Sequence, residues 1–399
     1  TVAIGYSALS DLTSGTGNTA VGYQSLDATD DGNYNTAVGY GSLSANCSDS
    51  NTAIGWSSLA VSVGTQNTAV GKSSSLALTS GANNVALGHH SLLDIVDGSQ
   101  NVAIGSFALG GALGATADGS ANNVVIGYSA GSGNWADQDC SNLVAIGSGA
   151  MAGALAGDTA DGSVAVGKDA LAALTSGAGN TAVGYQAMLA HTTGSRNIAI
   201  GHGAMNGTGE DSAPASDDNI FIGYDAGGGD WDDDADGTSA SGQNVAIGNY
   251  AMDAAMDGAN YNTAIGHGSL GSITTGGYNV GMGKDAGAVI TIGVYNTAIG
   301  ARALSAETIG DRSTAVGYQS LFLQVSDSSN DQARNTGVGM YASHYNVLGQ
   351  NNTSLGYAAG MGVSTKSHSN CTFLGSYAGT TAYTGNNNIA IGAYALDDT

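Results

Sequence analysis

One nine-residue motif recurs along the whole chain and constrains its fold more than any other feature. In the second copy the motif runs from Asn18 to Leu26, and its central glycine is Gly22. The 399 residues contain 22 copies, and successive central glycines are most often 17 residues apart, with a range of 16 to 25. A period of this length is typical of stacked repeat units that pack against their neighbours. We number positions from the motif glycine, so that Asn18 occupies position −4.

Three residues before the glycine predict a short β-strand in each copy. Position −3 is Thr, Val or Ile, and position −1 is Val, Ile, Leu or Met, as at Val21. Side chains alternate between the two faces of a strand, so these two columns share one face. We expect that face to form the inner seam of each coil. Position −2 is Ala in 16 copies, and we expect this opposite face to admit a neighbouring chain or sheet.

The other conserved columns of the repeat predict a ladder, a corner and a second strand. Position −4 is Asn in 17 of the 22 copies, which predicts stacked amides along the coils. The central glycine predicts a positive φ or a tight corner. A small residue at position +3 and often Leu or Met at position +4, as at Leu26, predict a second short inward-facing strand.

These columns predict an all-β fold, a parallel β-solenoid of about 22 short coils. No Pro-rich linker or charge block divides the chain, so we expect one repeat domain over residues 1–399, with enlarged spacer loops around 106–166, 202–247 and 318–338. A coil of about 17 residues buries few apolar side chains against its backbone entropy. We therefore expect identical chains to cover the remaining face around a rotation axis.

Composition and charge exclude several classes of partner. The chain has 8 Lys and Arg against 32 Asp and Glu, a net charge of −24, which disfavours nucleic acid and anionic membrane as direct partners. Its cysteines, Cys47, Cys140 and Cys371, are odd in number and far apart, so no disulfide framework is predicted. No signal peptide or long apolar run is found, and we expect no membrane insertion in this segment of what looks like a longer or processed chain.

The repeat resembles that of known surface fibres. Its structural residues are represented by Asn18, Val21, Gly22 and Leu26 in one copy, by Asn101, Ile104 and Gly105 in a second, and by Asn197, Ile200 and Gly201 in a third. The short copies resemble the head repeats of trimeric autotransporter adhesins of the YadA type, and the longer form is similar to repeats in bacteriophage tail fibres. The resemblance covers essentially the whole chain and implies a homotrimeric rod of parallel left-handed β-rolls. The usual step of 17 residues is longer than the coil of the bacterial heads, and no stalk coiled coil, anchor or fibre chaperone is recognised.

A structural and adhesive fibre is the function that these features predict. We expect an extracellular phage tail fibre or bacterial surface adhesin that binds a host-surface polysaccharide or protein receptor through its spacers. A self-assembling extracellular filament without a receptor-binding role is the alternative. An ice- or mineral-binding face would need a regular outward Thr column, whereas position −3 is often Val or Ile and is expected to face inward. No catalytic motif is recognised, so we do not expect an enzyme.

One acidic spacer is a candidate calcium site. Asp232, Asp234 and Asp236 alternate before Gly237, as carboxylates do in the first half of a calcium loop. Gln243 stands where the closing bidentate Glu would be expected. The segment is therefore interpreted either as a calcium site or as an acidic solvated loop.

Aromatic residues and histidines supply the remaining candidates. Position +1 is Tyr in eight copies and Trp56 in one, a column that would stack on sugars or pack coil on coil. Trp135 and Trp231 lie in acidic spacers and are candidate glycan or receptor contacts, unless each folds back over its own loop. The seven His residues form no close-spaced ligand set, although His202 and His267 both occupy position +1. A metal held by such a column on a trimer axis is the least expected outcome.

Overall fold

The structure, a computed structural model, describes most of the chain. The described residues are 1–111, 119–133, 140–155, 160–207, 216–229, 231, 240–326, 332–363, 366–381 and 385–397. They belong to two compact units, Thr1–Arg196 and Asn197–Thr399, and each unit is described by itself. That the whole chain is one repeat domain stays a prediction.

The described residues of each unit form eleven strands of three residues. The strands of the first unit are β1 Val2–Ile4, β2 Thr19–Val21, β3 Thr36–Val38, β4 Thr52–Ile54, β5 Thr68–Val70, β6 Val85–Leu87, β7 Val102–Ile104, β8 Val124–Ile126, β9 Val144–Ile146, β10 Val164–Val166 and β11 Thr181–Val183. The strands of the second unit are β12 Ile198–Ile200, β13 Ile220–Ile222, β14 Val245–Ile247, β15 Thr263–Ile265, β16 Val280–Met282, β17 Thr297–Ile299, β18 Thr314–Val316, β19 Thr336–Val338, β20 Thr353–Leu355, β21 Thr372–Leu374 and β22 Ile389–Ile391. Every strand occupies positions −3 to −1 of its repeat, as the motif predicts.

Within each unit every strand pairs in parallel with the next one along the chain. The register joins equivalent positions, and it holds across the long steps between Ile104 and Ile126 and between Ile222 and Ile247. No α-helix occurs in the described part of the chain. The prediction of an all-β parallel β-solenoid is confirmed. The register follows because stacked coils of one period place equivalent residues side by side.

The Asn column forms the predicted ladder inside the coils. Asn101 is fully buried, and its backbone N–H and side-chain Nδ2 both donate to Oδ1 of Asn84, at 2.9 and 3.1 Å. The same Nδ2 donates to the carbonyl oxygen of Ser120 at 2.8 Å. The Asn101 amide thus links three successive coils, and these bonds satisfy polar groups that would be costly to bury alone.

The prediction of a second strand at positions +3 and +4 is wrong. Ser25 and Leu26 do point inward and are fully buried, but the segment forms turns rather than a strand. Gln24 and Leu26 both have a φ of 51°, in the left-handed region. A coil of 17 residues must reverse direction within a few residues, and extended backbone at these positions would carry the chain away from the core. The coils remain hydrogen-bonded here, since Leu26 N–H donates to the Ser42 carbonyl at 3.1 Å.

Candidate functional site

The strand faces are the reverse of the sequence-based prediction. Ala20 at position −2 is fully buried, whereas Thr19 and Val21 on either side are only partly buried. The predicted inner seam of β-branched residues, and an Ala column that admits neighbouring chains, are therefore wrong. Leu26 at position +4 fills the coil from the opposite wall, and beside it there is room for little more than a methyl group. The strand consequently turns its small side chain inward and its larger ones outward.

Volume exchange between positions −2 and +4 supports this packing. Where position −2 is Phe221 or Phe373, position +4 is Gly227 or Gly379 instead of Leu or Met. Both Phe side chains are fully buried, and a Cβ atom added at Gly227 would lie 2.5 Å from Cδ1 of Phe221. A large residue on one wall therefore requires glycine on the other. This compensation is a sequence signal that would have revealed the orientation of the strands.

The outward side chains form a continuous surface, which we call the outer face and define as positions −5, −3, −1 and +1. Its two central columns are Thr and aliphatic residues. Outside the first and last coils, ten of the apolar side chains in these columns are more than a third exposed, from 36% at Ile265 to 47% at Leu87. They are Ile54, Val85, Leu87, Ile200, Ile247, Ile265, Met282, Ile299, Leu355 and Leu374. The others, including those in the coils of Gly105 to Gly184, are partly buried. Exposed apolar stripes are a common feature of interaction surfaces.

Charge divides sharply between the outer face and the spacers. The stretches from position −5 to position +2 hold seven of the eight Lys and Arg residues but only four of the 32 Asp and Glu, a net charge of +3. The remaining residues hold one Lys and 28 acidic residues, a net charge of −27. The apolar stripe is thus bordered by scattered basic residues, while the acidity of the chain is confined to its spacers.

Aromatic rings at position +1 stack coil on coil along one border of the outer face. Tyr6, Tyr23 and Tyr40 are stacked with ring centroids 5.3 and 5.0 Å apart, and Trp56 continues the series at 6.4 Å. The ammonium group of Lys72 lies 5.4 Å from the centre of the Trp56 ring. The faces of these inner rings are covered by their neighbours, which is the packing arrangement that the sequence allowed. A sugar contact at this column stays a prediction.

A second aromatic ladder, on the other border, was not predicted. Tyr261, Tyr278 and Tyr295 at position −5 stack with centroids 4.8 and 5.0 Å apart, and the guanidinium of Arg312 lies 5.6 Å from the centre of the Tyr295 ring. The signal was present in the sequence, because Tyr directly precedes the ladder Asn in these coils and at Tyr34. Both borders of the outer face therefore carry aromatic and basic residues.

The histidines are dispersed between the surface and the core. His202 and His267 are exposed on the outer face at position +1, and Nδ1 of His202 lies 4.0 Å from Oδ1 of Asp225. His344 is buried, and this burial lowers the pKa of its imidazole. In the described segments no group of three or more His, Cys, Asp or Glu residues is arranged to hold a metal ion.

Most of the predicted acidic and tryptophan sites lie outside the described residues. This applies to Asp232, Asp234 and Asp236, the candidate calcium ligands, and to Trp135. Trp231 is described, and its side chain is only 4% exposed, with its ring edge-to-face against Phe221 at 5.4 Å. The Trp231 ring thus packs against a core residue. A glycan contact there would require this ring to become exposed.

Two partly buried carboxyl groups have strongly raised pKa values. Desolvation by burial raises the pKa of Asp94 to about 6. Within the described residues its Oδ2 atom is buried without a hydrogen-bond partner. The pKa of Asp253 is also raised to about 6, first by desolvation and then by the nearby charge of Asp225. Both groups are therefore held in surroundings that disfavour their ionised form.

We expect Asp94→Asn to stabilise the protein at neutral pH. The pKa of Asp94 is higher in the folded than in the unfolded state, so wild-type stability falls as the pH rises from about 4 to 6 and stays lower above that range. Because the group is partly solvated, we expect the difference between variant and parent to grow by about 1 kcal/mol between pH 4 and pH 7. Urea unfolding at the two pH values measures it.

Asp11→Asn is the matched control for this prediction, because Asp11 occupies the same position, +6, in the first coil and is exposed. We expect it to change the pH dependence much less than Asp94→Asn does, because its charge acts only as a smaller cause, after burial, of the raised pKa of Asp27. If the urea midpoint of Asp94→Asn equalled that of the parent at both pH values, the raised pKa of Asp94 would not lower the stability at neutral pH, and the prediction would be contradicted.

The fold and these surfaces were compared with known proteins. No protein-family model matches the chain, and no curated protein sequence is significantly similar to it. Among the described residues, no helix has the length and apolar character needed to cross a membrane.

Proposed function

We propose that this chain is the shaft or head of an extracellular adhesive fibre, built as a homotrimer of parallel left-handed β-rolls. The fibre would be a phage tail fibre or a bacterial surface adhesin that presents its spacers to a host surface. The exposed aliphatic stripe of the outer face carries the proposal. A single chain leaves ten apolar side chains in the two central columns of this face more than a third exposed besides those of the first and last coils, with Ile265 and Leu87 among them.

The size of the outer face suits a stable interface. Eleven strands about 4.8 Å apart give one unit an outer face roughly 50 Å long. With four outward columns, its width is on the order of 20 Å, so the face offers roughly 1,000 Å², comparable to one partner's share of a standard interface. Covering apolar surface contributes about 25 cal/mol per Å². Association through this face therefore offers a large driving force.

The distribution of charge supports a closed ring of copies. The stretches from position −5 to position +2, which contain the outer face, have a net charge of +3 and the rest of the chain −27, so contact through the outer face keeps the acidic spacers apart and in water. Chains arranged around a rotation axis would each offer one border of this face to the next chain, and such a ring closes without leaving an apolar edge. The number three rests on the resemblance of the repeat to trimeric adhesin heads.

Ile265→Lys is expected to break the assembly while leaving the fold intact. Ile265 points outward in the middle of the stripe, so a lysine there is harmless in a free chain but places an unpaired charge in the interface. We expect sedimentation to shift from three times 39.0 kDa to 39.0 kDa at micromolar concentration, with an unchanged circular dichroism spectrum.

Ala255→Lys is the control, because it adds the same charge at an exposed spacer residue of the same unit. We expect it to remain trimeric. A monomeric parent chain would end the proposal, and a trimeric Ile265→Lys variant would show that the outer face is not the interface.

The adhesive role requires its own test. Labelled trimer should bind to intact host or bacterial cells, and an excess of unlabelled trimer should displace it. If the chain instead joins end to end into long filaments in electron micrographs and binds no cell surface, the alternative of a filament without a receptor-binding role is correct.

An ice- or mineral-binding face is the second candidate, because the Thr column lies outward and not inward as the sequence-based argument assumed. Five consecutive strands carry it, at Thr297, Thr314, Thr336, Thr353 and Thr372. Elsewhere Val or Ile interrupts the column. Thermal hysteresis of a monomeric chain would favour an ice-binding face. A trimeric chain without thermal hysteresis would exclude this candidate.

A further inference from the structure

The two borders of the outer face have complementary residues in five consecutive coils of the second unit. We call position −5 the leading edge and positions +1 and +2 the trailing edge. From the coil of Gly266 to that of Gly339, the leading edge carries Tyr261, Tyr278, Tyr295, Arg312 and Arg334. In the same order, the trailing edge carries His267, Lys284, Arg302, Tyr318 and Tyr341.

Both edges change character at the same coil. Up to the coil of Gly300 the leading edge is aromatic and the trailing edge is Lys, Arg or His, and from the coil of Gly317 the two are exchanged. The two edges lie at opposite ends of each strand, so this match brings no contact within one chain. The matching residues can contact each other only when the leading edge of one copy meets the trailing edge of another.

The side chains of both edges are ordered and accessible. Tyr278 and Tyr295 are stacked 5.0 Å apart and are 50% and 51% exposed. On the trailing edge, the side chain of Lys284 is 63% exposed, and Nε of Arg302 lies 3.8 Å from Oδ2 of Asp285. Stacking holds the leading-edge rings in place. On the trailing edge Asp285 holds both Lys284, at 3.9 Å, and Arg302, so little freedom is lost when a partner docks.

We propose that the leading edge of one chain clasps the trailing edge of a second, parallel copy at the same level through cation–aromatic pairs. The inference rests on the proposed assembly and adds its contact residues and register. Copies related by a rotation axis along the stack meet leading edge to trailing edge at every contact. Tyr278 then faces Lys284, Tyr295 faces Arg302, Arg312 faces Tyr318, and Arg334 faces Tyr341, with Tyr261 against the ring of His267. Tyr faces attract such cations.

The order of the residues excludes one of the two neighbouring registers. If the second copy is displaced by one coil in one direction, Arg312 faces Arg302 and the like charges repel. Displacement in the other direction places Tyr295 against Tyr318, without a cation, although the Lys and Arg residues would still meet tyrosines. A closed ring around a rotation axis excludes this second displacement, because its copies all lie at the same level.

Cysteine cross-linking of the full chain tests the clasp. Tyr278→Cys combined with Lys284→Cys places two thiols in the same coil, six residues and up to about 20 Å apart within one chain. A short bis-maleimide cross-linker replaces the span of the two long side chains, which a direct disulfide would not cover, and it does not reach from one edge to the other within one chain. With this reagent we expect a covalent trimer as the main species in denaturing gels. The parent chain, whose three cysteines are buried, should give none.

A displaced pair provides the matched control. Tyr278→Cys combined with Tyr318→Cys separates the thiols by two coils, about 10 Å along the stack, and we expect no covalent trimer. Cross-linking of the displaced pair and not of the same-level pair would overturn the register. A trimer by sedimentation that neither pair links would overturn the clasp and leave the proposed assembly standing, whereas a monomer would overturn the proposed assembly itself.

Discussion

Replacing Gly266 by Ala should destabilise the protein by about 4 kcal/mol or more, because the motif glycine occupies a backbone region that other residues avoid. Its φ is +133°, and an added Cβ atom would lie 2.6 Å from the carbonyl oxygen of Gly283 in the next coil. That oxygen belongs to the stacked backbone and cannot move without breaking the register. Urea unfolding followed by circular dichroism, at a fixed chain concentration, measures the loss.

Gly268→Ala is the matched control two residues away. Gly268 has a φ of +62°, a value that Gln24 and Tyr250 adopt at the same position of other coils. An added Cβ atom would meet only the end of the Asp285 side chain, 3.1 Å away. We expect a loss of about 1 kcal/mol. Equal losses for the two variants would contradict the assigned role of the motif glycine.

Phe373→Ala should cost about 3–5 kcal/mol by opening a cavity in the core. The Phe373 ring is fully buried between two coils, and it lies where Cβ atoms at both Gly360 and Gly379 would otherwise be. Its edge also contacts the ring of His368, with centroids 5.0 Å apart. Urea unfolding of this variant, under the same conditions, measures the cost.

Adding Gly379→Leu to Phe373→Ala should recover part of the lost stability. The double variant restores the combination of Ala at −2 and Leu at +4 that half of the coils carry, and the φ of 67° at Gly379 is close to the 51° of Leu26. The space beside Gly360 stays empty, so we expect recovery of about 2 kcal/mol, not of the whole. Gly379→Leu alone should destabilise, because it collides with the Phe373 ring. Simple additivity of the two single changes would refute the volume exchange.

The outer face links this core packing to function. Small residues inside and large ones outside give a narrow coil whose aliphatic side chains cannot be covered by its own chain. The same choice that fills the core therefore leaves the outer face exposed, with aromatic and basic residues along both of its borders, and we propose this face as the interaction surface. An assembly of copies would therefore bury the exposed outer face and leave the acidic spacers in water.

Much of the architecture was predictable from the sequence. The period, the parallel register, the Asn ladder of Asn84 and Asn101, and the positive φ at Gly22 all follow from one residue at one place in every coil. Stacking makes each such column a line of identical neighbours, so its chemistry can be read without knowing the rest of the fold. The predicted strand at +3 and +4 failed, because the need to close the coil outweighed the local pattern.

The direction of each strand was decided only by the tertiary structure. Alternation separates Ala20 from Thr19 and Val21 but does not say which side is inside, since both are apolar enough for a core. The answer depends on volume across the coil, where Leu26 leaves space for Ala20 alone. That is a contact between residues on opposite walls, and it turned the predicted seam of the repeat into its outer face.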